Sequence, residues 1–201
     1  MNSNIGDWYN ERMRKIIMFN FVTVDGYFAG SDGNIDWHPV DKEFNDFAVD
    51  FIKQCDTALF GRTTYDLFAG FWPTAVNDSS LDPEDRIIAQ ALNDMDKIVI
   101  THREVASDWS NTIVWDDVDI ERVNELKQGD GKNIVIYGSG TIIKQLTDMG
   151  LIDEYHFIVA PIILGEGKSL FEGNARTGLE LIDSRVFKSG NVLLDYKTTS
   201  K

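Results

Sequence analysis

Ile16-Ile17-Met18-Phe19-Asn20-Phe21-Val22 is an almost unbroken apolar run, the pattern of a strand buried on both faces. Phe44, Phe47, Ala48, Phe51, Ile52 and Cys55 then recur at helical spacing, predicting an amphipathic helix over residues 41–55. Thr57 to Phe60 reads as a short strand that runs into a helix ending near Phe71. Asp82-Pro83-Glu84-Asp85 carries a cap and a first-turn proline, so another helix runs from there to about Asn93. Strands are expected at 97–101 and 112–115 and a helix at 119–128. Ile134 to Tyr137 is again apolar and passes through Gly138-Ser139-Gly140 into an amphipathic segment ending near 149. The pattern then changes to a strand at 154–160 and two strands near 179–187 and 192–197 joined by Lys188-Ser189-Gly190-Asn191, a β-hairpin. β-α units followed by an antiparallel pair predict a mixed sheet covered by helices. Without repeats or linkers, residues 13–201 read as one domain behind a loose leader at 1–12. Asp25 to Gly33, with three glycines and no period, reads as a long mobile loop of the kind that forms active-site lids.

Two of the strand-to-helix turns are alike. In Phe60-Gly61-Arg62-Thr63-Thr64 and Tyr137-Gly138-Ser139-Gly140-Thr141-Ile142, glycine ends an apolar strand and small hydroxyl residues open a helix. Such turns let a ligand approach the backbone, and the helix N-termini behind them offer free N–H groups and partial positive charge. Two at one sheet edge suit the phosphates of a dinucleotide. Arg62 adds a fork that fits a monoester such as the 2′-phosphate of NADP, with Thr101 and Arg103 beside it at the end of another strand. Two better-known motifs fail. Ile143 stands where G-x-G-x-x-G needs its third glycine, and Ile162 where a P-loop ending at Gly167-Lys168-Ser169 needs its first.

The net charge of −14 over 201 residues argues against a nucleic-acid or anionic-membrane surface, though not against a single nucleotide held at a local positive site. One cysteine, Cys55, excludes an intrachain disulfide, and the three histidines lack metal-ligand spacing, so no metal is expected. The chain has neither a signal-peptide pattern nor an apolar run of membrane-spanning length, and a cytoplasmic protein is the simplest reading. Asp25, at the end of the first strand, and Asp41, at the start of the first helix, are the candidate proton donors; helix capping is the alternative role for Asp41. Asn20, polar inside an apolar strand, needs a partner in the backbone or on a ligand. Together with Val22 and Trp37 it forms the expected acceptor pocket.

Thr23-Val24-Asp25-Gly26-Tyr27-Phe28-Ala29, Asp36-Trp37, Phe60-Gly61-Arg62-Thr63-Thr64-Tyr65, Val135-Ile136-Tyr137-Gly138-Ser139-Gly140, Tyr155-His156-Phe157 and Pro161-Ile162-Ile163-Leu164-Gly165-Glu166-Gly167 occur in an order that resembles the dihydrofolate-reductase-like family. More narrowly, they resemble the reductase domain of the bacterial riboflavin-biosynthesis deaminase-reductase, from about residue 14 to 198. The resemblance implies a mixed, mostly parallel eight-stranded sheet between helical layers, NADPH as hydride donor and a homodimer. It puts the cofactor phosphates on the Gly61 and Gly138–Gly140 turns, the lid at Asp25–Gly33 and Trp37 near that lid. Asp41 lies near the pterin-binding acid of true dihydrofolate reductases, but its helix departs from their pattern. The expected activity is therefore NADPH-dependent reduction of a small pyrimidine- or pterin-type heterocycle such as 5-amino-6-(5-phosphoribosylamino)uracil. The alternatives are dihydrofolate-reductase-type activity and a non-catalytic NADP-binding module.

Overall fold

The computed structural model describes residues 13–199. Its centre is an eight-stranded sheet in the order β5-β4-β3-β6-β1-β7-β10-β9. The strands are β1 (Ile16–Thr23), β3 (Cys55–Gly61), β4 (Asp96–Ile100), β5 (Thr112–Trp115), β6 (Asn133–Tyr137), β7 (Glu154–Ala160), β9 (Leu179–Val186) and β10 (Val192–Thr198). β5, β4, β3, β6, β1 and β7 run parallel, and β10 lies antiparallel to both β7 and β9. This is the mixed, mostly parallel sheet with a C-terminal hairpin that the patterning predicts.

β1 sits near the middle of the sheet, so its residues feed two cores. Ile16 and Met18 pack with Leu59, Ile134, Ile136 and the buried face of α6 (Gly140–Asp148). Ile17 and Phe19 pack with Phe60 and Val135 beneath α1 (Lys42–Ile52). Each of these buried apolar side chains stabilises the fold by about 1.5–3 kcal/mol. α2 (Arg62–Ala69), α3 (Trp72–Ala75) and α4 (Pro83–Asp94) share the α1 side, with Phe68, Trp72 and Leu92 in that core. α5 (Ile120–Gln128) buries Val123 on the opposite side. Lys97, fully buried on β4, fixes the end of α4. Its ammonium donates to the carbonyl oxygens of Leu92, Asn93 and Met95 at 2.8, 3.1 and 2.6 Å and lies 4.6 Å from the Trp109 ring centre.

Three local expectations change. The 25–33 segment is not wholly loop: β2 (Tyr27–Ala29) pairs with β8 (Lys168–Ser169) as a separate two-stranded flap. Strands of three and two residues among glycines leave no period to read. The first helix stops at Ile52, and Cys55 is buried as the first residue of β3 rather than on a helix face. The helix expected to reach Phe71 breaks at Gly70, and α3 follows as a separate turn. The predicted leader at 1–12 lies outside the described residues. No helix among the described residues is long and apolar enough to cross a membrane.

Candidate active site

The carboxyl ends of β1, β3, β4 and β6 open into one cavity of about 1100 Å³. That is where parallel sheets bind ligands, because the helices that follow the strands present their N-termini there. Two turns dominate its rim and are bonded to each other. The Gly61 N–H donates to Ser139 Oγ at 2.8 Å, and the Ser139 N–H donates to Thr64 Oγ1 at 3.0 Å. Ser139 Oγ in turn donates to the Tyr137 carbonyl at 3.0 Å. Gly138 and Ser139 both adopt left-handed backbone, with φ of 54° and 59°. At 138 only glycine fits, since a Cβ would stand 2.7 Å from Thr64 Oγ1. Ser139 bears a left-handed conformation unfavourable by about 1–3 kcal/mol, which its three hydrogen bonds offset.

Asn20 completes the frame. Its Oδ1 accepts from the Gly138 N–H at 2.7 Å and its Nδ2 donates to the Gly138 carbonyl at 3.3 Å. The β1–β6 ladder reaches Phe19–Tyr137, so Asn20 extends it by one step with a side chain. This resolves its partner in favour of the backbone. The helix starts behind the turns are bare. Among the described residues no side chain caps α2 or α6, whereas Asp41 accepts from the Phe44 N–H on α1 and Asp119 from the Glu121 and Arg122 N–H groups on α5. The first-turn N–H groups at the cavity therefore keep their donor capacity for an anion.

The predicted cofactor residues Gly61, Arg62, Thr63, Thr64, Thr101, Arg103, Gly138, Ser139, Gly140, Thr141 and Ile142 all line this cavity, as do Asn20 and Trp37. Arg62 holds Asp66 through Nε at 2.7–2.8 Å, a pairing along the exposed helix that leaves its Nη groups outside that bond. Thr101 Oγ1 accepts from the Arg103 N–H at 3.0 Å and shapes the turn after β4. Trp37 donates its indole N–H to the Asn34 carbonyl at 3.2 Å and meets the His38 ring edge-on.

Against known proteins, the model of the RibD C-terminal domain matches residues 14–193. This chain belongs to the RibD C-terminal domain family. It is 32% identical over 189 residues to the uncharacterized protein YyaP of Bacillus subtilis (strain 168), covering 93% of this chain and 96% of that one. Among solved structures, a Shewanella sp. PV-4 protein ascribed to riboflavin biosynthesis is 22% identical, with a TM-score of 0.69 over 92% of this chain and 99% of its own. Dihydrofolate reductase from Enterococcus faecalis, complexed with NADP(H) and RAB-propyl, matches at a TM-score of 0.57 and 15% identity over 92% and 97% of the two chains. The fold is thus that of the dihydrofolate reductases.

Three residues expected at the site of this RibD C-terminal domain do not line its cavity: Asp41, Asp25 and Val22. Asp41 is the cap of α1, bonded to the Phe44 N–H at 2.8 Å and to the Ser189 N–H. Those bonds, Phe44 first, hold its carboxyl below the ordinary carboxylate range, the wrong direction for a proton donor. Asp25 is held low in the same way. Its carboxylate accepts from the Thr23 hydroxyl at 2.6 Å, the strongest influence, and from the Gly165 and Leu164 N–H groups at 2.8 and 3.3 Å. It ties the start of the flap to the loop after β7. Val22 is on the same face of β1 as Asn20 but is buried in the core that also holds Met18 and Leu59.

The sequence pattern missed most of the cavity's aromatic wall and several of its titratable groups, among them His38, Asp85 and Lys168. The His38 ring centre lies 4.2 Å from that of Phe21 with the rings tilted by 37°, its Nδ1 is buried without a partner among the described residues, and burial depresses its pKa. Asp85 is shifted the other way, raised by burial and then by Asp82 and Glu84. The capping role of Asp41 gives a direct expectation. Asp41→Ala should lower Tm by about 2–4 °C, Asp41→Asn should restore most of that, and neither should alter nucleotide affinity. Thermal unfolding and a nucleotide titration of both variants check it; weaker nucleotide binding by Asp41→Asn would return Asp41 to the site.

Proposed function

We propose that this chain is an NADPH-dependent reductase of a small pyrimidine- or pterin-type heterocycle. The observation that carries the reading is the pair of uncapped helix starts, α2 and α6, bonded through Ser139 at one cavity rim with Arg62 and Arg103 beside them. Backbone N–H groups of the two first turns would hold the pyrophosphate of NADPH, and the Arg62 guanidinium would receive its 2′-phosphate. The cavity volume suits a dinucleotide with a small acceptor. When bound, the nicotinamide would supply the hydride. The protein's own contribution is orientation: two rigid turns fix the phosphates, and Trp37, His38 and Phe21 form a wall that excludes water from the acceptor.

The homodimer belongs to the same proposal. β9 is exposed along its whole length, with Leu181 and Val186 at 51% and 71% exposure on an edge strand that a second copy would cover.

Three measurements test these readings. Arg62→Ala should weaken NADPH about tenfold and NADH less than about twofold, because only NADPH offers the monoester phosphate to the guanidinium. Equal losses would remove Arg62 from the 2′-phosphate. Tight NADPH binding with no oxidation against any diaminouracil, pterin or folate would instead favour a binding module. Sedimentation equilibrium should return twice the chain mass, falling to one chain mass for Leu181→Lys/Val186→Lys; a monomeric wild type would contradict the dimer.

A further inference from the structure

The flap meets the cavity at the start of α6. A Cβ placed on Gly140, the first residue of that helix, would stand 3.1 Å from the Phe28 ring and 3.8 Å from the Ser169 carbonyl oxygen. Both flap strands therefore lie over the helix start. The flap's own pairing is tight. Gly167 passes β2 so closely that a Cβ there would fall 2.5 Å from the Ala29 carbonyl oxygen. Asp25 ties the roots of the two strands together through the Leu164 and Gly165 N–H groups. The next residue after Gly167 is Lys168, which is thereby held opposite Ala29 and lines the cavity.

Lys168 is exposed and enters no ion pair or side-chain hydrogen bond among the described residues. Its ammonium rests over the open face of Gly33, where a Cβ would be 3.2 Å away. Asp25 and Glu172 share a shallow hollow with it on the flap. Asp25 is already occupied by Thr23, Leu164 and Gly165, and neither carboxylate pairs with the lysine. The other cations lining the cavity are Arg62 on α2 and Arg103 after β4. A dinucleotide's pyrophosphate carries one negative charge on each phosphoryl group, whereas the two helix starts supply about half a positive charge each. With Arg62 assigned to the 2′-phosphate, roughly one negative charge is left without a partner.

We propose that Lys168 is the flap's contact to the cofactor pyrophosphate and supplies the charge that the two helix starts leave unmatched. The proposal rests on the reductase reading and adds to it a binding residue from a separate element. The flexible four-carbon stem lets the ammonium leave Gly33 while the flap backbone stays docked on Gly140. A lysine meets a phosphoryl oxygen as a point charge, so the contact needs no fixed fork and arginine can replace it. The pyrophosphate is common to NADPH and NADH. Lys168 therefore adds affinity for both, which separates its role from that of Arg62.

The test is a calorimetric titration of the full chain and of Lys168→Met and Lys168→Arg with NADPH, NADH, 2′-AMP and inorganic pyrophosphate. Lys168→Met should weaken NADPH and NADH alike, by about tenfold at low salt. That loss should shrink to less than about threefold in 1 M salt, where an exposed charge is screened. Lys168→Arg should stay within about threefold of the wild type. 2′-AMP, which has no pyrophosphate, should bind all three proteins equally. Unchanged affinity of Lys168→Met for both dinucleotides would overturn the proposal. So would a loss confined to NADPH and 2′-AMP, which would move Lys168 to the 2′-phosphate. A wild type that binds neither dinucleotide would sink the reductase reading instead. Inorganic pyrophosphate would then decide the role of Lys168 alone, through weaker binding or no change in Lys168→Met.

Discussion

The site depends on the two hydrogen bonds that join Ser139 to Gly61 and Thr64. They bring together the first turns of α2 and α6, which follow the adjacent strands β3 and β6. Two helix N-termini carry like partial charges and repel when close. A left-handed serine holds them there, and Asn20 clamps the same turn from β1. With no side chain among the described residues capping either helix start, the field of both converges on the cavity rim. An anion placed there relieves the repulsion that the fold sustains without it.

Hydrogen-bond saturation separates structural carboxylates from those available for chemistry. Asp25 and Asp41 have short links to backbone N–H groups and are held anionic; one fastens the flap, the other caps α1. Asp85 has no such partner among the described residues, and burial pushes it toward its neutral form. Its placement depends on α4, which Lys97 secures through three carbonyl oxygens at the far end. Buried and without a carboxylate partner among the described residues, Lys97 has its pKa lowered to about 8 by desolvation, a cost accepted where it fixes a helix that lines the cavity.

Much of this was legible in the sequence for physical reasons. β1, β3 and β6 are buried on both faces and read as apolar runs, and glycine at 138 is demanded by a positive φ and a crowded Thr64. Both phosphate-type turns, and every residue assigned to them, sit on the cavity. The flap strands were hidden because their pairing is long-range and too short for periodicity. Asp25 and Asp41 looked available because the partners that saturate them, Gly165 and Ser189, lie far along the chain. The aromatic side of the cavity was hidden because Phe51 and Phe68 look like ordinary helix-core positions until α1, α2 and α4 meet.

A crystal structure of the NADPH complex tests the account most directly. The account predicts pyrophosphate oxygens within hydrogen-bond distance of N–H groups in the first turns of both α2 and α6, with the Ser139 bonds to Gly61 and Thr64 intact. Pyrophosphate bound elsewhere, or bound only after those two bonds have broken, would contradict it.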